Sequence, residues 1–220
     1  MVAVDIWVEG IADQKFLADV LKTWFNLSFN KKFESRDENR EISLQIRKGE
    51  GVSNFNSEEG WQNIKPFFEE NNAAGVKNLI VADADEDFAA RKTEIMNAVK
   101  GVDFNIESEL FLWPDHQPHQ NKGDLERLLE QIINPKNKSI FDCWMAYEDC
   151  LRKTDKTYTT PARKTKIYAY LEALLGETRG EKDKIKERER EYYNADHWQL
   201  DHTKEPLKPL HEFLKQHLGL

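Results

Sequence analysis

The sequence predicts an α/β fold: a mostly parallel sheet flanked by helices, followed by a helical C-terminal extension. Three observations predict it. Short apolar runs near residues 4–8, 78–82 and 109–113 are separated by segments whose apolar residues recur at three- and four-residue spacing, the alternation of βαβ units. Two of these runs end in carboxylates, Glu9 after the first and Asp83 and Asp85 after the second. In parallel sheets, ligands sit beyond that carboxyl edge. Past residue 135 the pattern is mostly helical, which divides the chain into a core over 1–135 and an extension over 136–220 packed upon it.

Taken in order, Val4-Asp5-Ile6-Trp7-Val8 is the first strand, ended by Glu9-Gly10. Asp13 is placed to cap a helix whose Phe16, Leu17, Val20, Leu21 and Trp24 share one face. Residues 31–40 are polar and read as loop, and Ile42-Ser43-Leu44-Gln45-Ile46 alternates as a strand does. The Gly49-Glu50-Gly51 turn lacks the third glycine of a dinucleotide fingerprint and the helix that should follow, which argues against a cofactor loop. A helix over 60–72 carries Trp61, Ile64, Phe67 and Phe68, with Pro66 either kinking it or marking a later start. The strand at 78–82, a helix over 88–99 and the strand at 109–113, stopped by Pro114, complete the alternation. After a loop over 115–122, Gly123-Asp124-Leu125-Glu126 opens a helix bearing Leu125, Leu128, Leu129, Ile132 and Ile133, closed by Asn134-Pro135. Helices over 139–151, 164–175 and 206–217 follow. The mixed-sign run 181–191 reads as an exposed helix with internal ion pairs.

Composition narrows the function classes. With 220 residues, 39% hydrophobic and 33% charged, the chain has enough apolar residues for one packed core. No apolar run approaches the roughly 20 residues of a membrane span, and the opening Met1-Val2-Ala3-Val4-Asp5 lacks the basic-then-apolar pattern of a signal peptide. The expected compartment is therefore cytoplasmic. Cys143 and Cys150 would lie about 10 Å apart along one helix, too far to bridge, and read as reduced thiols. The sequons at Asn26 and Asn137 are then chance matches. A net charge of −8 argues against a broad basic face that binds nucleic acid through phosphates alone, while leaving room for a local site.

The stretch Leu79-Ile80-Val81-Ala82-Asp83-Ala84-Asp85-Glu86-Asp87 carries the strongest chemical signal. Alternate residues of an extended chain share a side, so Asp83, Asp85 and Asp87 can converge. Carboxylates held together repel unless a cation lies between them, and hard oxygen ligands suit Mg²⁺ or Mn²⁺. The same acids also suit helix capping and turns, and Asp13 reads as a cap before a ligand. His116 and His119 are spaced for joint metal binding in a loop that solvent alone would also explain. Arg152, Lys153, Lys156, Arg163, Lys164 and Lys166 form one locally basic stretch, suited either to a phosphate backbone or to a solvated helix face.

Val8-Glu9-Gly10 with Asp13 and Phe16-Leu17, then Asp83-Ala84-Asp85, then Gly123-Asp124-Leu125-Glu126 resemble, in this order, the Toprim-like families. These include primases, topoisomerases and OLD-type nucleases. The likeness is nearest to small single-domain Toprim-like proteins, whose tails are similar to Lys164-Thr165-Lys166-Ile167-Tyr168-Ala169-Tyr170-Leu171 and to Trp198-Gln199-Leu200-Asp201 with Pro209-Leu210-His211-Glu212-Phe213-Leu214. The resemblance implies a divalent-metal site at the strand ends, with Glu9 as general acid or base and Asp83 and Asp85 as the metal-binding pair. Glu126 is the candidate for a further metal acid, with Asp87 and Asp124 behind it, and Lys166 is the candidate basic participant. The implied activity is Mg²⁺-dependent phosphoryl transfer, foremost by a nuclease acting on nucleic acid. The chain carries no tyrosine domain of topoisomerases, no zinc ribbon and no Walker A segment. The alternatives are a non-catalytic module that binds a protein partner or nucleotide, and a role beside a separate ATPase.

Overall fold

Five strands form one sheet in the order β2-β3-β1-β4-β5. They are β1 (Val2–Val8), β2 (Glu34–Asp37), β3 (Ile42–Lys48), β4 (Lys77–Asp83) and β5 (Ser108–Trp113). All neighbours run parallel except β2, which pairs antiparallel with β3 at one edge. The structure is a computed structural model that describes residues 2–49, 58–100, 108–117 and 123–220. The expected turn at 49–51 and His119 therefore lie partly or wholly outside the described residues.

The strands read as continuous apolar runs because the central ones are buried on both faces. Val4, Ile6 and Val8 of β1, Leu79 and Val81 of β4, and Phe111 and Trp113 of β5 join one core cluster. Trp7, Ile80, Ala82, Leu110 and Leu112, the intervening residues, join the other. On the first face lie α1 (Ile11–Phe25), α4 (Leu125–Gln131), α5 (Lys138–Thr154), α6 (Arg163–Leu174) and α8 (Lys208–Leu218). On the second lie α2 (Glu58–Ala74) and α3 (Phe88–Lys100). Each fully buried Leu, Ile or Phe contributes about 1.5–3 kcal/mol, so the stripe on α1, Phe16, Leu17, Val20 and Leu21, anchors that helix firmly. Pro66 lies inside α2, at an exposed position.

The C-terminal residues share the first core: Ile167, Tyr170, Leu171, Leu210, Leu214 and Leu218 pack with the sheet. Hydrogen bonds tie them to α1, among them one from Trp24 Nε1 to the Leu200 carbonyl at 2.9 Å and one from the Tyr192 amide to Asp19 Oδ2 at 2.8 Å. The side chain of Asn137 is engaged with Tyr170 and the Asp196 carbonyl, and both cysteines are free and exposed on α5. Among the described residues, no helix is long and apolar enough to cross a membrane.

Two sequence expectations are corrected. Residues 31–40 are not all loop: β2 lies within them, an edge strand satisfied by backbone ladder bonds to β3, with Ser35 its buried side chain. An edge strand needs no apolar signal, which is why Glu34-Ser35-Arg36-Asp37 gives none. The run 181–191 is not one exposed helix either. A short α7 (Arg179–Asp183) and a 3₁₀ turn (Glu187–Glu189) flank Ile185, and Arg190 and Tyr192 are buried beyond them. Burial of Ile185 and Tyr192 draws the segment onto the core. Arg190, 1% exposed, follows, its guanidinium 4.5 Å from the Tyr168 ring and donating to the Ile185 carbonyl.

Candidate metal centre

β1 and β4 are parallel neighbours with Val8 beside Val81, so Glu9 and Asp83 leave the sheet on the same edge. Gly10 then caps α1 with extended backbone, and Asp13 sits in the first turn. Asp13 is a cap, as its place in the sequence suggests: its Oδ2 accepts the Gly10 amide at 3.0 Å. Its Oδ1 accepts Trp113 Nε1 at 2.9 Å, and the residue is 8% exposed. Its spacing to Phe16, Leu17 and Val20 places it on the buried stripe of α1, a signal that this acid faces inward.

The Gly123-Asp124-Leu125-Glu126 segment reaches the same edge through a two-way backbone bridge, Asp85 to Gly123, with both bonds 3.0 Å. Gly123 is required there because a Cβ would collide with the Trp113 carbonyl and the Pro114 ring. Asp124 caps α4 by accepting the Arg127 amide at 2.7 Å, and Asp83 Oδ1 accepts the Leu125 amide at 3.2 Å. Glu126 follows in the first turn of α4.

The result is a group of acids that oppose one another's ionisation. Burial pushes Asp83 up to about 9, and the negative charges of Asp13, Glu9, Glu126 and Asp124 add to the shift. Burial likewise pushes Asp13 to about 7, with Glu9 and Glu126 raising it further and the Trp113 hydrogen bond opposing. Glu9 is raised by burial against the pull of Arg91, Asp85 by burial against the same arginine, and Glu126 by burial.

Arg91 supplies the compensating charge at the rim. It is 4% exposed, and its guanidinium pairs with Glu9 at 2.7 Å, Glu94 at 2.9 Å and Asp85 at 3.4 Å. Its place on α3, between Phe88 and Ile95 on the buried stripe, was the sequence signal for it. Among the described residues, no three His, Cys, Asp or Glu side chains are gathered so as to hold a metal ion. The donor chemistry fits a hard cation, while the side chains are arranged around arginine.

The other expected participants lie apart from this group. Asp87 caps α3, accepting the Ala89 and Ala90 amides at 2.9 and 3.0 Å. Lys166 pairs with Glu130 at 3.0 Å, one turn along α4 from Glu126, and lies 4.8 Å from the Phe141 ring. Arg163 pairs with Asp124 and Glu130, Lys164 with Glu187, and Arg152 with Glu148 and Asp149, so much of the basic stretch is consumed internally. His116 accepts the Leu112 amide on Nδ1 at 2.9 Å, and burial holds its imidazole down to about 4, so it is neutral.

The profile of one protein family, described as a protein of unknown function (DUF3226), matches residues 4–218. The chain belongs to the DUF3226 family. The acids of the candidate centre, with Arg91 and Gly123, all fall within the DUF3226 match. No curated protein and no solved structure matches the chain. What this DUF3226 chain presents chemically is a set of largely half-buried carboxylates, protonated to higher pH than usual, beside the buried guanidinium of Arg91, with Lys164 and buried Arg190 drawing on Glu126.

Proposed function

We propose that this chain is a Toprim-like enzyme that uses Mg²⁺ or Mn²⁺ for phosphoryl transfer and acts as a nuclease on phosphodiester bonds of nucleic acid. The observation that carries the reading is the gathering of buried Asp13 with half-buried Glu9, Asp83 and Glu126 within reach of one another's charge at the carboxyl edge of a parallel sheet. A divalent ion relieves such repulsion, and an all-oxygen donor set suits Mg²⁺ or Mn²⁺. Asp83, Asp85 and Glu126 are the candidate ligands, with Asp13 the acid best placed to join them.

Bound there, the ion would neutralise the phosphodiester and stabilise charge on the attacking and leaving oxygens. Glu9 holds or delivers the proton, a role suited to a carboxyl raised by burial. Arg91 orients Glu9 and Asp85, and Lys166 holds α4, and thus Glu126, through Glu130. Asp87 is left to cap α3. The test is cleavage of labelled DNA and RNA by purified protein with and without Mg²⁺, beside Glu9→Gln. Metal-dependent cleavage lost in the variant supports the reading; cleavage unchanged by Glu9→Gln, or none on any substrate, overturns it.

One observation favours a second reading, a non-catalytic module that binds a protein partner or nucleotide. Arg91 already neutralises Glu9 and Asp85, as a structural ion pair would. On that reading Mg²⁺ binds no more tightly to the native protein than to Asp83→Asn.

A further inference from the structure

A second feature occupies the same edge of the sheet, one strand over from Glu9. Beyond the carboxyl end of β3 lies a cleft of about 470 Å³, within the usual size of ligand sites. Its charged lining is wholly cationic among the described residues: Lys31, Lys32, Arg47, Lys48 and Arg188. That is notable in a chain of net charge −8. Lys31, Lys32 and Lys48 are exposed and have no carboxylate partner among the described residues. Arg188 donates to the Lys31 carbonyl at 3.0 Å and keeps its charge exposed.

An aromatic platform completes the cleft. Phe67 is 46% exposed, although it belongs to an otherwise packed helix face. Its ring lies 5.9 Å from that of buried Trp7, and the Arg47 guanidinium sits 5.7 Å from Phe67 and 5.5 Å from Trp7. Arg47 is fixed in place by Asp5 at 2.5 Å, which Asn71 also holds at 2.9 Å. A pinned guanidinium beside an exposed ring, surrounded by lysines without a carboxylate partner among the described residues, matches what an unstacked base and its phosphates require. A duplex keeps its base faces hidden and could use only the lysines.

We propose that this cleft binds single-stranded nucleic acid, with a base against Phe67 and Arg47 and the flanking phosphates on Lys31, Lys32 and Lys48. Lys48 pairs with Val8 in the sheet, and Gly49 donates to the Val8 carbonyl, so the cleft opens about one strand spacing from Glu9. A strand seated there runs from cations toward the acids of the metal centre. This deepens the phosphoryl-transfer reading and takes the direction of the strand from it.

Binding is measured without divalent metal, so that the two readings fail separately. Fluorescence anisotropy of a labelled 12-nucleotide single strand is compared with a duplex of the same sequence at about 50 and 200 mM salt, using native protein, Phe67→Ala, Lys32→Ala/Lys48→Ala and Lys138→Ala. The single strand should bind more tightly than the duplex and weaken with salt. Phe67→Ala should lose about tenfold or more in affinity. The lysine double variant should lower the log–log salt slope by about 1.4, the share of two phosphate contacts on a single strand. Lys138→Ala, at an exposed lysine of α5 outside the cleft, should bind as the native protein does. Thermal melts matching native protein would show that the variants at these exposed sites remain folded. Failure to bind the single strand at low salt, a duplex preference, equal displacement by a mononucleotide or polyglutamate, or native affinity in both cleft variants would overturn the proposal. Strand binding without metal-dependent cleavage would leave the cleft standing and overturn the catalytic reading.

Discussion

The carboxyl edge of the sheet has two contrasting halves. At β1 and β4 the charges are acidic, mostly half-buried and mutually repelling; at β3 they are basic, mostly exposed and, among the described residues, largely without carboxylate partners. Like charges held together out of solvent destabilise the fold, whereas exposed lysines contribute almost nothing to stability either way. On the proposed reading, the acidic half holds function at the expense of stability, and the basic half meets ligand without reorganising the core. The contrast can be broken from either side, and the expected effects differ in size.

The largest effect should come from the acids themselves. Asp83→Asn, which removes a candidate ligand while keeping the Leu125 hydrogen bond available, should lower metal-dependent cleavage about 100-fold or more in single-turnover assays. Gly123→Ala comes next. The added Cβ meets the Trp113 carbonyl and Pro114, so it should cost about 3 kcal/mol and lower the melting temperature by ~6–12 °C. It should also loosen the placement of Asp124 and Glu126, so that activity falls at temperatures where the variant is still folded.

Arg91→Met probes the compensation at the rim. Removing the guanidinium leaves Glu9, Asp85 and Glu94 without it, at about 2–3 kcal/mol by chemical denaturation. Added Mg²⁺ should restore more stability to this variant than to native protein, because the ion and the guanidinium neutralise the same acids. The last effect is read in the pH profile. Asp83 is raised in the folded state, so the native protein keeps a proton that the unfolded chain releases above about pH 4. Native stability contributed by this group is therefore present at low pH and lost as pH climbs from about 4 toward about 9. Melting curves of Asp83→Asn across that range should be flatter and higher at neutral pH, by about 2–4 °C for each ~1 kcal/mol recovered.

The α/β architecture was legible because its central strands are buried on both faces and separated by amphipathic helices; Leu79, Ile80, Val81 and Ala82 alternate between the two cores while reading as one apolar run. What escaped was held by contacts that leave no periodic trace. β2 is kept by backbone bonds at an edge, and Arg190 is carried inward by its neighbours Ile185 and Tyr192. At the candidate centre, Glu9 and Asp83 were visible from their strand ends. Asp13 and Arg91 sat on apolar stripes where a charged residue signals burial, although their partners Trp113 and Glu9 lie about 100 and 82 residues away in the chain. The cationic cleft was hidden for the same reason: Lys31, Lys48 and Arg188 come from three separate segments.

The most direct test of the central claim is calorimetric titration of the native protein and Asp83→Asn with Mn²⁺ at pH 7.5. The account predicts saturable binding at or below about millimolar concentration, with proton release on binding and loss of both signals in the variant. Binding that is absent, or identical in the two proteins, would contradict it.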